Sequence, residues 1–247
     1  MKQIFTYTLI LIIGLMLSCK DKITNPPEEY PPGYQHDIPW PSLADSPWPM
    51  LHHDPQSTGR SKLVGPLAGT VEWIFIQPWK QIISSIAIGL DSTIYAPYEN
   101  AGLIAIKPDG TIKWNVLTDV SSSFVTPIIN SEGTIIHFTI AGVFAVNPDG
   151  SQKWFYTLHG MGCTGANLGL DGTIFFISNK TLYVLGSNGQ LKWSYYDTDF
   201  QGMTALSFSP DGKTLYIPGN INTPALIAFD VFNSPLSLFD LDFRFIN

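Results

Sequence analysis

Cysteine is nearly absent: Cys19 and Cys163 are the only two in 247 residues. Such a chain has no disulfide framework to stand in for a core, so its fold must rest on packing and backbone hydrogen bonds. Charge is also sparse, at 13% of residues, and the net charge of −7 is spread without a Lys/Arg block. That surface repels phosphate backbones and argues against nucleic acid as a partner. No apolar run reaches the roughly 20 residues that a membrane-spanning helix needs. The one at residues 4–17 holds 14. What the chain has in quantity is glycine (21), proline (19) and aromatic residues (13%). This is the composition of short strands joined by tight turns.

Lys2 precedes the apolar stretch, which ends in Met16-Leu17-Ser18-Cys19. A basic start, a short apolar core and a small residue before cysteine resemble a bacterial lipoprotein signal. The resemblance implies that residues 1–18 are a cleaved signal peptide and that the Cys19 thiol carries a diacylglyceryl group. Met16 and Leu17 depart from the commonest form of that motif. Residues 19–47 are rich in proline, which removes backbone donors and favours extended chain, and they read as a tether. Lys20 stands where Asp would retain a lipoprotein at the inner membrane. The signal therefore implies a cell-envelope protein anchored by lipid in the outer membrane.

Four tryptophans set a period: Trp73, Trp114, Trp154 and Trp193, with gaps of 41, 40 and 39. Each follows a glycine by four residues, and before the last three glycines, Gly110, Gly150 and Gly189, stand Asp109, Asp149 and Asn188. Asp-Gly and Asn-Gly suit the positive φ angles of a two-residue hairpin turn. A second marker runs out of phase with the first. Asp91, Glu132, Asp171 and Asp211 open β-rich segments at spacings of 41, 39 and 40. Between markers the second full unit reads as four strands: "SFVTPII", "TIIHFT", "GVFAVN" and "SQKWFYTL". Four short strands in about 40 residues make one propeller blade. Alternation puts Ile112 and Trp114 on one face and Lys113 on the other, so the tryptophans should wedge between neighbouring blades. A stripe of ligand-stacking aromatics is the alternative.

The units "LIAIKPDGTIKW", "VFAVNPDGSQKW" and "LYVLGSNGQLKW" resemble the pyrroloquinoline-quinone-type propeller repeat. The opening at residues 48–66 is similar to the leader that precedes such blades. The resemblance covers residues 48–230 and implies an all-β propeller of four-stranded blades. About four and a half blades are present, in an incomplete ring. Residues 231–247 carry neither the expected Asp-Gly nor a tryptophan, and read as an off-pattern tail. A truncated product is the favoured reading of that break, over a blade array completed by another chain.

The same repeat serves both dehydrogenases and non-catalytic scaffolds. The dehydrogenases carry adjacent cysteines, a calcium site and an Asp base. This chain has no Cys-Cys pair, and no motif places a calcium site or a base, so the reading assigns no catalytic residue, no metal and no cofactor. His52-His53-Asp54 is the one cluster with the look of chemistry. Neighbours on an extended segment point to opposite faces, which argues against a shared metal. Asp54 and Arg60 are expected in turn hydrogen bonds, His137 and His159 in structural roles, and Cys163 as a small buried residue. The expectation is a non-catalytic envelope lipoprotein that binds a protein or glycan. A fragment of a quinone-dependent oxidoreductase is its rival. Oligomeric state is not readable from the pattern.

Overall fold

The computed structural model describes residues 37–61, 63, 69–76, 81–99, 102–117, 125–158, 162–198, 200, 205–219 and 226–232. Cys19, the signal segment, His159 and the tail from residue 233 lie outside them. Fifteen strands and no helix are described. The first sheet contains β1 (Ala87–Ile88), β2 (Ile94–Tyr98), β3 (Gly102–Ile106) and β4 (Ile112–Leu117). The second contains β5 (Ile128–Ile129), β6 (Ile135–Phe138), β7 (Gly142–Val146) and β8 (Gln152–Thr157). The third contains β9 (Cys163–Leu168), β10 (Ile174–Ser178), β11 (Thr181–Leu185) and β12 (Leu191–Tyr196). The last has three strands, β13 (Ser207–Phe208), β14 (Thr214–Pro218) and β15 (Leu226–Asp230). Every sheet runs up and down in chain order, all pairs antiparallel.

The second and third strands of each complete sheet are apolar almost throughout because both of their faces are covered. In β2, Ile94, Ala96 and Tyr98 face one cluster with Ile104, Ile106, Trp73 and Phe75. Tyr95 faces the opposite cluster with Leu103 and Ala105, where the second sheet contributes Ile129, Ile135 and Val146. The next cluster joins the second and third sheets through Phe138, Val143, Leu168 and Phe176, and it takes in Met50 from the leader. Cys163 is buried there, and burial pushes its thiol pKa upward. The core is thus a set of layers between successive sheets, built on the period of two.

Two sequence expectations change. The Asp-Gly and Asn-Gly turns are not two-residue turns with positive φ at both residues. Only the glycine is left-handed, at +82° for Gly110, +90° for Gly150 and +80° for Gly189. Gly110 N–H donates to Lys107 O and Lys107 N–H to Thr111 O, with a register shift beside Ile106. This is a type I turn closed by a bulge. Pro108 and Pro148, at the first central position, fix φ near −65° and forbid the primed turn. Of the stretch read as a tether, residues 39–47 are packed chain: Trp40 is 8% exposed and Ser42 is buried. Leu43 there makes a single bridge to Asn130.

His137 on β6 is fully buried, and burial holds its pKa near 3, against an ordinary 6.5. The unfolded chain therefore binds more protons than the folded one between those values. The stability this neutral imidazole permits is complete above pH 6.5 and is lost as pH falls toward 3. Urea melts should show a fall of about 2 kcal/mol from pH 6.5 to 4.5 that His137→Gln largely abolishes. Parallel pH profiles for the two proteins would contradict the assignment.

Candidate functional site

First strands make the inner edges of the sheets. Consecutive ones approach each other, as in Ser84 Oγ to Thr126 Oγ1 at 3.4 Å, and Asn167 Nδ2 donating to Leu206 O at 2.7 Å. Each first strand would leave a backbone donor at its end, and the leader supplies the acceptors. Ile88 N–H donates to Trp48 O at 2.7 Å, Ile129 N–H to Pro49 O at 2.8 Å, and Phe208 N–H to Pro55 O at 2.7 Å. These donors recur at one position of the repeat. In the third sheet the equivalent donor, Leu168 N–H, is taken by Asn167 Oδ1, while Asn167 Nδ2 also donates to Pro55 O. Trp40 Nε1 and Ser42 Oγ donate to Leu168 O and Gly169 O at 2.9 and 2.6 Å. The leader therefore touches the inner edge of all four sheets.

A quinone, which the rival oxidoreductase reading would require, would need that inner edge. The residues present do not fit it. The end donors of the first strands are already bonded to leader carbonyls, and Met50, 2% exposed, fills the space among Ile128, Leu168 and their neighbours. The His52-His53-Asp54 segment is also differently built from an extended strand. His52 and His53 are left-handed, with φ of 56° and 75°. The Asp54 carboxylate accepts from Thr58 N–H and Thr58 Oγ1, so it serves the turn. His53 Nδ1 stands 3.6 Å from it, and its ring meets Trp48 edge-on at 5.4 Å. Among the described residues no three His, Cys, Asp or Glu side chains are grouped to hold a metal.

The outer rim is joined by the repeat tryptophans. Trp73 Nε1 donates to Pro108 O at 2.8 Å, Trp114 Nε1 to Pro148 O at 2.9 Å, and Trp154 Nε1 to Ser187 O at 3.0 Å. Each indole lies under the turn glycine of the following sheet. A Cβ built on Gly110, Gly150 or Gly189 would come 2.9, 2.9 or 2.5 Å from the ring of Trp73, Trp114 or Trp154. Glycine is needed there twice over, for the left-handed φ and for the close approach. Trp193 stacks instead on Phe229 of β15, centroids 5.5 Å apart. The four tryptophans sit in four separate joints and make no common stripe.

Across each complete sheet runs an ion pair that the sequence reading missed. Lys113, Lys153 and Lys192 on the fourth strands reach Asp91, Glu132 and Asp171 on the first turns, at 2.9, 2.7 and 3.2 Å. Each ammonium also donates to a threonine hydroxyl, of Thr93, Thr134 or Thr173. The Lys113 hydrogen bond, with help from Thr93, holds the Asp91 carboxyl near pKa 2. Lys153 likewise lowers Glu132. At Asp171 burial works upward, and the hydrogen bonds of Thr173 and Lys192 outweigh it. The recurring Lys before Trp114, Trp154 and Trp193, about 20 residues beyond a recurring acid, was the available signal. These pairs are exposed staples, largely screened by solvent. They carry no reactive geometry.

Inner edges bound to one leader and rims joined by one repeated contact, every 40 residues or so, define blades. The chain is an incomplete β-propeller whose ring is not closed. No protein-family model matches it, and no curated protein sequence does. Among solved structures it is similar to the computationally designed Ika4 protein, with a TM-score of 0.53 and 10% identity, covering 66% of this chain and 99% of that one. It is also similar to BamB from Moraxella catarrhalis (TM-score 0.48, 20% identity, 61% of this chain and 50% of that). A third is the WD40 repeats of RRP9 (0.49, 13%, 63% and 53%). The chain spans about half the length of the latter two.

The rim joint can be separated from backbone strain by paired substitutions. Gly150 and Gly172 share a left-handed φ, +90° and +80°, but the nearest atom to a Cβ on Gly172 is Ser187 Cβ at 3.6 Å. Alanine at either should lose about 1–2 kcal/mol to left-handed strain. Gly150→Ala should lose about 1 kcal/mol more in urea melts, because it displaces the Trp114 indole and its hydrogen bond. Equal losses would show that the indole does not bear on the turn.

Proposed function

We propose that this is a non-catalytic, lipid-anchored scaffold of the bacterial cell envelope that binds a protein partner through its blade rims and loops. One observation carries the reading: the leader occupies the inner edges of all four sheets, where a propeller enzyme would hold its cofactor. What stays open for recognition is the outside. The fourth strands present Ile112, Phe155, Leu191 and Tyr196, from 38% to 61% exposed, between charged staples. Exposed apolar and aromatic side chains rimmed by charge are the usual furniture of a protein-binding face. A glycan would stack on the same aromatics, and it is the lesser reading because no aromatic stripe gathers in one place. The anchor rests on the sequence around Cys19, and the pyrroloquinoline-quinone-type ancestry on the repeat motifs. Among the described residues none at the inner edge favours the rival oxidoreductase fragment.

Membrane fractionation and cofactor loading test the two halves together. Cys19→Ala should move the protein from the membrane to the soluble envelope fraction. Wild-type protein incubated with calcium and the quinone should show no quinone absorbance after repurification. Membrane retention of the variant would refute the anchor. Stoichiometric absorbance would refute the scaffold and restore the oxidoreductase.

A further inference from the structure

Residues 69–76 have the rim contact of a fourth strand without its ladder. In the repeat, Val71, Glu72 and Trp73 stand where Ile112, Lys113 and Trp114 stand in β4. Trp73 and Phe75 pack on the first sheet, and the Trp73 indole donates to its outer turn as Trp114 and Trp154 donate to theirs. The fourth strands of the complete sheets are also held by backbone pairing, β4 on β3, β8 on β7 and β12 on β11. Residues 69–76 pair with no strand among the described residues. Val71, Ile74 and Ile76 are accordingly 78%, 75% and 76% exposed.

Extended backbone beside exposed isoleucines is a template for another strand, which pairs its N–H and C=O groups while it covers the side chains. The side chains say which strand fits. Period two puts Glu72, Ile74 and Ile76 on the face opposite Trp73 and Phe75. The same face of β4 carries Lys113 and Asn115, and that of β12 carries Lys192 and Ser194. Lys113, Lys153 and Lys192 each meet an acid of their own sheet. Glu72 holds the lysine position, exposed and with the sign reversed, so a cation is its complement. Across an antiparallel pair, the residues opposite Ile76, Ile74 and Glu72 fall at every second position. The complementary strand therefore shows apolar, apolar and basic side chains in that order on one face.

We propose that residues 69–76 are the docking edge of the scaffold and capture an antiparallel strand of a protein partner with this apolar-apolar-basic face. The proposal rests on the protein-binding reading above and gives that binding a place and a mode. Main-chain hydrogen bonds supply the attachment, while Ile74, Ile76 and Glu72 select the sequence and fix its register. The Trp73 and Phe75 contacts hold the edge against the first sheet before the partner arrives.

The test titrates the full chain, carrying Cys19→Ser to remove the lipid, with two dye-labelled, capped peptides: Thr-Val-Thr-Val-Thr-Lys-Thr and the same sequence with Glu for Lys. The Lys peptide should bind about fivefold more tightly than the Glu peptide, and it should slow hydrogen exchange at amides within residues 71–76. Glu72→Lys should reverse the preference. Lysine is what the other fourth strands carry at that position, so folding is not at risk. Ile74→Asp should weaken both peptides and leave the exchange of the ladder amides unchanged. Three results would each overturn the proposal: amides of residues 71–76 already protected in the free protein, binding of neither peptide, or equal binding of both that Glu72→Lys does not alter. Membrane fractionation and cofactor loading do not involve this edge, so the scaffold reading and the docking edge fail separately.

Discussion

The backbone donors at the inner edges of the sheets constrain everything else. A buried N–H without an acceptor costs about 1–3 kcal/mol, and a propeller repeats the liability once per blade. Here the answer is a leader whose carbonyls meet Ile88, Ile129 and Phe208, and a side chain, Asn167, that does the same for Leu168. Two of the three leader acceptors are prolines, Pro49 and Pro55. Proline brings a carbonyl without a donor of its own, so it can enter a buried edge and leave nothing unsatisfied.

With the inner edge filled, the rim holds the blades in step. The indole joints set one sheet against the next through a hydrogen bond and a ring that only glycine admits. Their geometry explains why Trp and Gly recur together: a larger turn residue would move the ring, and a smaller ring residue would leave the turn unsupported. The lysine staples add orientation at the exposed surface. Among the described residues the leader meets the inner edges, and the outside offers edges, loops and aromatic side chains.

The strands were legible because turn residues and apolar runs repeat at fixed intervals; in the second sheet the segments "TIIHFT", "GVFAVN" and "SQKWFYTL" contain β6, β7 and β8. The turn type was misread because Asp-Gly was weighed without the proline before it. Trp40 and the leader contacts could not be read at all, since they join residues 40 to 153 positions apart through backbone carbonyls that any residue offers. Asn167 left a faint trace, a polar residue at the apolar end of a first strand. The staples left a stronger one, periodic on both partners, which lay unread because each acid and its lysine are some 20 residues apart.

Native-state hydrogen exchange at the inner edge tests the account most directly. If the leader is part of the propeller, the amides of Ile88, Ile129 and Phe208 will exchange only through the opening that frees ladder amides such as Ile104 and Phe176, with the same free energy. If those three amides exchange at rates near those of open chain while the ladders stay protected, the leader is not docked and the inner edge is free for another ligand.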